Sequence, residues 1–241
     1  MVWSTLKDVN KCKNQDGTLC EPSTSLTHGL YNPKVTNGVF PNVYHFDSKA
    51  EVGEYMKSIG LPTTFFMPGF YMSNLPGSSI RKDETGTYVF NFPGPGTTQI
   101  PLFDANSDTG KYVKAALKYK DKTLGKAVLG SPAYYTIDQI VDILQKTKPE
   151  AGKGARHQQV PPEGYKAALV GAGMPDFAAQ ELLENMTFMS EFGYYGKESL
   201  DWSNDVRFSF RHTRSAVADN PSRQLLDEKA TTWEKFVEQH F

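Results

Sequence analysis

Residues 43–74 decide the fold of this 241-residue chain, and they read VYHFDSKAEVGEYMKSIGLPTTFFMPGFYMSN. Apolar side chains recur at the i, i+3, i+4 and i+7 spacing of one helical stripe, and these are Val52, Tyr55, Met56 and Ile59. Ser48 and Glu51 have the spacing of a capping box at the start of this helix, and Gly60 ends it. Residues 63–67 are aromatic and β-branched, which predicts a buried strand. A helix, a tight turn and a strand are half of a βαβ unit.

The remaining sequence continues this alternation of strands and helices. Strand patterns occur at residues 1–5, 87–92, 100–103 and 127–130. Asp108-Thr109-Gly110 introduces one predicted helix, and Thr136 with Gln139 forms the capping box of another. Residues 6–42 and 204–220 have no clean period and are expected to be loops. The pattern as a whole predicts an α/β fold with a doubly wound sheet.

Composition narrows the class of protein. Hydrophobic residues make up 39% and charged residues 22% of the chain, as in an ordinary globular protein of one large or two small domains. The net charge of −1 creates no global field for nucleic acid or an anionic membrane, and no apolar run approaches the roughly 20 residues of a membrane span. Cys12 and Cys20 are expected to be free thiols of a reducing compartment, with a disulfide between them as the alternative. The expected location is cytoplasmic, with the nucleus as the alternative.

Four segments carry a resemblance to a known family. A His-Phe-Asp-x-Lys motif opens the predicted helix at residues 45–49, and Met1-Val2-Trp3-Ser4-Thr5 has the form of the strand that precedes it. Residues 68–74 match the loop after the next strand, and residues 232–237 match a terminal helix. Together they resemble the NmrA-like family, a branch of the atypical short-chain dehydrogenases.

The resemblance implies the C-terminal part of a Rossmann-like doubly wound sheet with a small helical substrate lobe. Family members begin with a glycine-rich turn that holds the dinucleotide pyrophosphate, and no Gly-x-Gly-x-x-Gly occurs in this sequence. Residues 1–148 are therefore expected to be a partial NAD(P)-binding region without its N-terminal strands, so that cofactor binding is impaired. Residues 149–241 are expected to be a mostly helical C-terminal lobe, reached through a connection rich in proline and glycine at residues 149–162.

The same resemblance implies that Lys49 contacts the cofactor. Short-chain dehydrogenases use a lysine here to bind the nicotinamide ribose and to lower the pKa of a tyrosine four residues earlier. This chain has His45 at that position. His45 is either a proton donor in place of the tyrosine or a histidine that orders the start of the helix. For Lys49 the alternative is a solvated surface lysine.

The loop after the predicted strand is the second part of the implied site. Tyr71, Met72, Ser73 and Asn74 follow the carboxyl end of a parallel strand, where open α/β sheets bind their ligands. By resemblance these residues lie against the nicotinamide half of NADP, with NAD as the alternative cofactor. No catalytic residue and no metal ligand is assigned.

The implied function is that of an NmrA-like redox sensor, which binds NAD(P)(H) and regulates a partner protein or its own association. The alternative is an NADP-dependent oxidoreductase with an unknown small-molecule substrate. Neither function requires direct contact with nucleic acid or a membrane.

Overall fold

The computed structural model describes residues 1–6, 39–195 and 225–241. Its elements are β1 (Val2–Ser4), α1 (Tyr44–Ser58), β2 (Thr64–Pro68), β3 (Phe70–Tyr71), a 3-10 turn (Met72–Asn74), β4 (Ile80–Lys82), β5 (Tyr88–Phe92), β6 (Gln99–Phe103), α2 (Ala105–Lys118), α3 (Lys120–Thr123), β7 (Ala127–Gly130), β8 (Ala133–Thr136), α4 (Ile137–Thr147), β9 (Arg156–Gln159), α5 (Pro162–Gly171), α6 (Asp176–Phe192) and α7 (Trp233–His240). Both cysteines, most of the loop expected at residues 6–42 and all of the loop expected at residues 204–220 lie outside the described residues.

A parallel sheet of β1, β2 and β7, in that spatial order, forms the centre of the fold. Every residue of β2 and β7 is buried, which is typical of parallel strands covered on both faces. Phe65 faces Gly53 of α1, where an added Cβ would lie 3.5 Å from its ring. Phe66 points to the other face, where it packs against Phe103 and Tyr112 of the α2 side. The predicted strand at residues 63–67 and its burial are confirmed.

Helix α1 differs from its prediction in its start and in its buried face. It begins at Tyr44 and has no side-chain cap of its own, so the expected capping box of Ser48 and Glu51 does not form. Its buried residues are Phe46, Asp47, Ala50 and Gly53. The residues of the predicted stripe that are exposed instead are Val52, Tyr55 and Ile59. Small residues let the helix backbone approach the sheet, and they therefore determine which face of α1 is buried. Apolar periodicity alone predicted a different face.

Two smaller sheets complete the described fold. Strands β3, β6 and β8 form one, and β4, β5 and β9 form the other. The strands predicted at residues 87–92, 100–103 and 127–130 are present within one or two residues of their expected bounds. The segment 149–162, expected to be a connection only, contains β9, which pairs in parallel with β5. Its sequence, Arg-His-Gln-Gln, has no apolar alternation that could predict a strand.

Capping residues in the sequence predict where α4 begins, but the start predicted for α2 is too late. Thr136 and Gln139 form the expected capping box of α4. Helix α2 begins at Ala105, earlier than expected, because the Asp104 carboxylate accepts hydrogen bonds from the backbone N–H groups of Asn106 and Ser107, both at 3.1 Å. The division of the chain at residues 148 and 149 stays a prediction.

Candidate functional site

The carboxyl ends of β2 and β7 define the candidate site. These strands end at Pro68 and Gly130, and the N–H group of Gly69 donates to the Gly130 carbonyl at 3.0 Å. Helix α1 precedes β2, and the end of the helix leads into the amino end of this strand. There the Met1 ammonium donates to the Pro62 carbonyl at 2.9 Å. The start of α1 therefore lies at the same edge as Pro68. In open α/β sheets this edge is where ligands bind.

Lys49 lies in the second turn of α1, and its side chain is half-buried. Its backbone carbonyl accepts hydrogen bonds from the Trp3 indole at 3.4 Å and from the Thr5 hydroxyl at 3.2 Å. Trp3 lies in β1, and Thr5 comes directly after this strand. These hydrogen bonds therefore fix this turn of α1 to the sheet at the candidate edge. The role of Lys49 in binding stays a prediction.

The segment after β2 divides the four predicted loop residues into two groups. The side chains of Tyr71, Ser73 and Asn74 are exposed at this edge, and they could contact a ligand. Met72 is completely buried in the main apolar cluster, so only its backbone could do so. The Ser78 hydroxyl donates to the Asn74 carbonyl, which closes the turn that follows.

Two adjacent tyrosines connect the helix of Lys49 with this segment. The Tyr195 hydroxyl donates to the Met67 carbonyl of β2 at 3.1 Å. The Tyr194 ring meets the Phe46 ring of α1 edge to face, with 5.3 Å between the ring centroids. Burial raises the pKa of both phenols, and Tyr71 contributes to the rise at Tyr194, so both hydroxyls stay protonated at neutral pH. They are buried structural contacts beside the site, and no local pattern in the sequence marks them.

His45 is held on both ring nitrogens by helix α6. Its Nδ1 lies 2.6 Å from a carboxylate oxygen of Glu181, and the same oxygen accepts the His45 backbone N–H at 2.9 Å. The Asn185 amide lies 2.9 Å from Nε2. If Asn185 donates here, the neutral ring carries its proton on Nδ1 and donates it to Glu181; this tautomer is assigned from the hydrogen-bond network. The arrangement favours a histidine that orders the helix start over a proton donor.

Glu181 and the neighbouring Glu184 together cap α1 from another helix. The Glu184 carboxylate accepts the backbone N–H of Asn42 at 2.7 Å and also the Asn42 side-chain amide. Carboxylates at the N-terminus of a helix stabilise its macrodipole and satisfy its free N–H groups. This explains why α1 needs no cap from its own sequence. It also ties the predicted lobe to the helix that carries Lys49.

The described residues contain neither a cluster of metal-ligating side chains nor a helix that could span a membrane. No group of three or more His, Cys, Asp or Glu side chains in these ranges could hold a metal ion. None of the helices in residues 1–6, 39–195 and 225–241 has the length and apolarity that crossing a membrane requires.

A parallel sheet with helices on both faces and a ligand edge at the ends of its strands defines a Rossmann-like α/β protein. The sequence model of the NmrA-like family matches residues 29–236, so the chain belongs to the NmrA-like family. The resemblance seen in the motifs at residues 45–49 and 68–74 is therefore confirmed.

The chain is similar to a curated relative and to solved structures. The nitrogen metabolite repression protein nmr of Neurospora crassa is 26% identical over 159 residues, which cover 61% of this chain and 31% of nmr. NmrA, described as a negative transcriptional regulator, has been solved with NADP; its structure gives a TM-score of 0.62 at 17% identity and covers all of this chain and 63% of that one. A second NmrA structure, with NAD, gives a TM-score of 0.63 at 16% identity.

An enzyme also shares the fold. The triphenylmethane reductase of Citrobacter sp., solved with NADP(H), gives a TM-score of 0.54 at 20% identity and covers 80% of this chain and 58% of that one. The prediction of a Rossmann-like fold is confirmed by these structures. The chain spans about a third of the length of nmr and less than two thirds of the NmrA chain.

Proposed function

We propose that this chain binds NADP(H), and also NAD(H), at the carboxyl edge of the parallel sheet, and that binding regulates its contact with a partner protein. The observation that carries the proposal is the position of Lys49 and the segment 69–74 at one edge of the parallel sheet, joined by Tyr194 and Tyr195. The NmrA structures solved with NADP and with NAD support the choice of cofactor. The name of NmrA, a negative transcriptional regulator, supports the regulatory role.

The residues at this edge fit the nicotinamide half of a dinucleotide. The Lys49 ammonium can donate to ribose hydroxyls, and the Ser73 hydroxyl and Asn74 amide offer donors and acceptors for a carboxamide. Tyr71 supplies an exposed aromatic face. Burial of Met72 keeps the backbone of this turn fixed, since its side chain is anchored in the core. The chain's own contribution is therefore to bind and orient the nicotinamide.

The redox-sensing part of the proposal follows from the charge of the cofactor. The oxidised nicotinamide ring carries a positive charge that the reduced ring lacks. A protein responds to this difference only if it binds the two forms with different affinity. The proposed sensor acts in the cytoplasm or the nucleus, through a protein partner or its own association.

The first test is a thermal melt of the full chain with NADP⁺, NADPH, NAD⁺ and NADH. Ligand at a hundred times its dissociation constant should stabilise the fold by about 2.7 kcal/mol, which raises Tm by about 5–11 °C for a protein of this size. Lys49→Ala should remove most of this rise. Lys57→Ala is the matched control, because Lys57 lies on the same helix but pairs with Glu54 at 2.7 Å, away from the site.

The outcomes separate clearly. A rise in Tm that Lys49→Ala leaves intact would contradict the assigned site. No rise with any of the four dinucleotides would contradict the binding function. A redox sensor requires that NADP⁺ and NADPH raise Tm by different amounts at the same concentration. Equal rises in Tm would contradict the redox-sensing part of the proposal.

The second candidate function is an NADP-dependent oxidoreductase acting on a small molecule. Its support is the shared fold of the triphenylmethane reductase and the position of His45 at the start of α1. An enzyme should oxidise NADPH when a dye or quinone is added and lose this activity in His45→Ala. A regulator should bind NADPH without turnover. The engagement of both His45 ring nitrogens by Glu181 and Asn185 favours the regulator.

A further inference from the structure

A basic surface with two exposed leucines lies at the opposite end of the sheet from the candidate cofactor site. We call it the Lys–Leu patch, and its residues are Leu117, Lys118, Lys120, Lys122 and Leu124. Leu117 is 60% and Leu124 is 49% exposed, and all three lysines are exposed as well. Single exposed leucines are normal on a protein surface, so it is the lysines beside them in sequence that indicate a ligand here.

The fold holds the Lys–Leu patch in place. The Thr123 hydroxyl, which is buried, donates to the Ala116 carbonyl at 2.9 Å and lies 3.2 Å from the Thr64 hydroxyl. The Gly125 N–H donates to the Thr63 carbonyl at 2.8 Å. These bonds fix the turn between α2 and β7 to the amino end of β2. The surface is therefore preformed. A ligand bound there would not contact a cofactor bound at the carboxyl ends of the parallel strands.

Lysines outnumber acids within residues 117–124 although the net charge of the chain is −1. The ammonium groups of Lys118 and Lys122 lie 5.0 and 5.6 Å from the centroid of the Tyr119 ring. Lys120 and Lys122 form no ion pair with a carboxylate of the described residues, and Asp121 is the one acid between them. The local excess of cations favours an anionic ligand.

A segment of the chain itself shows how the adjoining face of α2 binds acidic residues. The Asp227 carboxylate accepts hydrogen bonds from Lys118 at 2.7 Å and from the Tyr119 hydroxyl at 3.3 Å. Glu228 pairs with Lys114 at 3.4 Å. The preceding Leu226 packs against the apolar cluster that contains Tyr112. The hydrogen bond from Lys118 lowers the pKa of Asp227, so this carboxylate stays ionised at neutral pH.

We propose that the Lys–Leu patch binds an acidic segment of a partner protein that also carries leucine or a similar apolar side chain. Its carboxylates pair with Lys120 and Lys122, and its apolar side chains cover Leu117 and Leu124. This reproduces on the exposed side of α2 and α3 the combination of leucine and acid seen at residues 226–228. The proposal extends the regulatory function by stating the chemistry of the partner.

Other anionic ligands fit this surface less well. Nucleic-acid phosphates would pair with the lysines but leave both leucines in water. An anionic membrane requires a broad apolar face, and two leucines do not form one. An acidic and apolar peptide is the ligand that uses both features of the patch.

The test uses a fluorescein-labelled synthetic peptide of repeating Asp-Leu-Glu-Leu units and the full chain without cofactor. Fluorescence anisotropy should show binding that weakens as salt is raised. Lys120→Glu with Lys122→Glu should weaken binding by about tenfold or more, because two attractive charges become repulsive. Leu117→Ser with Leu124→Ser should weaken it by about fivefold, because the apolar contact is lost. The matched control is Lys146→Glu with Lys153→Glu, two exposed lysines elsewhere, which should change binding by less than about twofold.

Each alternative outcome overturns the proposal. Absence of peptide binding at low salt does so directly, and so does binding that the leucine variant leaves unchanged. Tighter binding of a mixed-sequence DNA duplex or of phosphatidylserine vesicles, with the same dependence on Lys120 and Lys122, would assign the patch to that ligand instead. All substituted residues are exposed, so the melting temperature of each variant should match that of the parent chain. The result does not depend on NADP(H), so failure here is distinguishable from failure of the cofactor proposal.

Discussion

Replacement of Trp233 by alanine is expected to lower the free energy of unfolding by about 4 kcal/mol. Trp233 is completely buried, and its ring stacks on Phe236 with 5.5 Å between centroids. Its indole N–H donates to the Ile140 carbonyl at 3.0 Å, and its backbone N–H donates to the Tyr135 hydroxyl at 3.2 Å. Alanine would leave a large cavity and remove the indole donor from the Ile140 carbonyl. Helix α7 is too short to be stable by itself, so its docking depends on this side chain.

The effect of Trp233→Ala is measured by urea denaturation followed by circular dichroism. Phe177→Ala is the control, because Phe177 is an aromatic residue of the same chain that is 69% exposed. Its substitution should change the free energy of unfolding by less than about 0.5 kcal/mol. A cost below about 1 kcal/mol for Trp233→Ala would contradict the packing of α7 against α4.

Gly69→Ala is expected to cost about 3 kcal/mol and to disturb the candidate site as well. A Cβ at this position would lie 2.3 Å from the Pro101 carbonyl oxygen and 3.1 Å from the Gly130 carbonyl oxygen. Both atoms belong to strand backbones, so no side-chain rotation could relieve the clash. The backbone would have to move where β2 ends and the segment with Tyr71 begins. The rise in Tm with NADP(H) should therefore fall along with the stability.

Gly110→Ala is the matched control for Gly69→Ala. Gly110 lies inside α2, and nothing lies within 4 Å of the Cβ that alanine would add. Alanine has a lower conformational cost than glycine in a helix, so this variant should be more stable by up to about 1 kcal/mol. The opposite result is that Gly69→Ala unfolds at the same urea concentration as the parent chain and keeps its rise in Tm with NADP(H). That result would contradict the close contact between Gly69 and the backbone carbonyls of Pro101 and Gly130.

Local patterns in the sequence could predict the central strands and some of the caps. The run from Thr63 to Met67 is apolar enough to be recognised as a strand covered on both faces, and Thr136 with Gln139 forms a cap from nearby residues alone. The face of α1 could not be predicted in the same way. Ala50 and Gly53 are buried because they are small, whereas apolar periodicity favoured larger residues that remain exposed.

Contacts between distant parts of the chain account for what the sequence analysis missed at the site. Glu181 and Glu184 cap a helix that begins well over a hundred residues earlier, and no local motif marks such a pair. Tyr195 reaches Met67 across a similar separation. The positions of Lys49 and Asn74, in contrast, follow from the order of elements around a parallel strand, which family motifs could predict.

Hydrogen–deuterium exchange of the full chain, with and without saturating NADPH, locates the cofactor on the protein. We expect slower exchange in peptides from residues 44–50 and 69–74, at the carboxyl edge of the parallel sheet. Exchange in residues 117–124, at the opposite edge, should not change. Protection confined to other segments, or no protection anywhere at saturating cofactor, would contradict the proposed site.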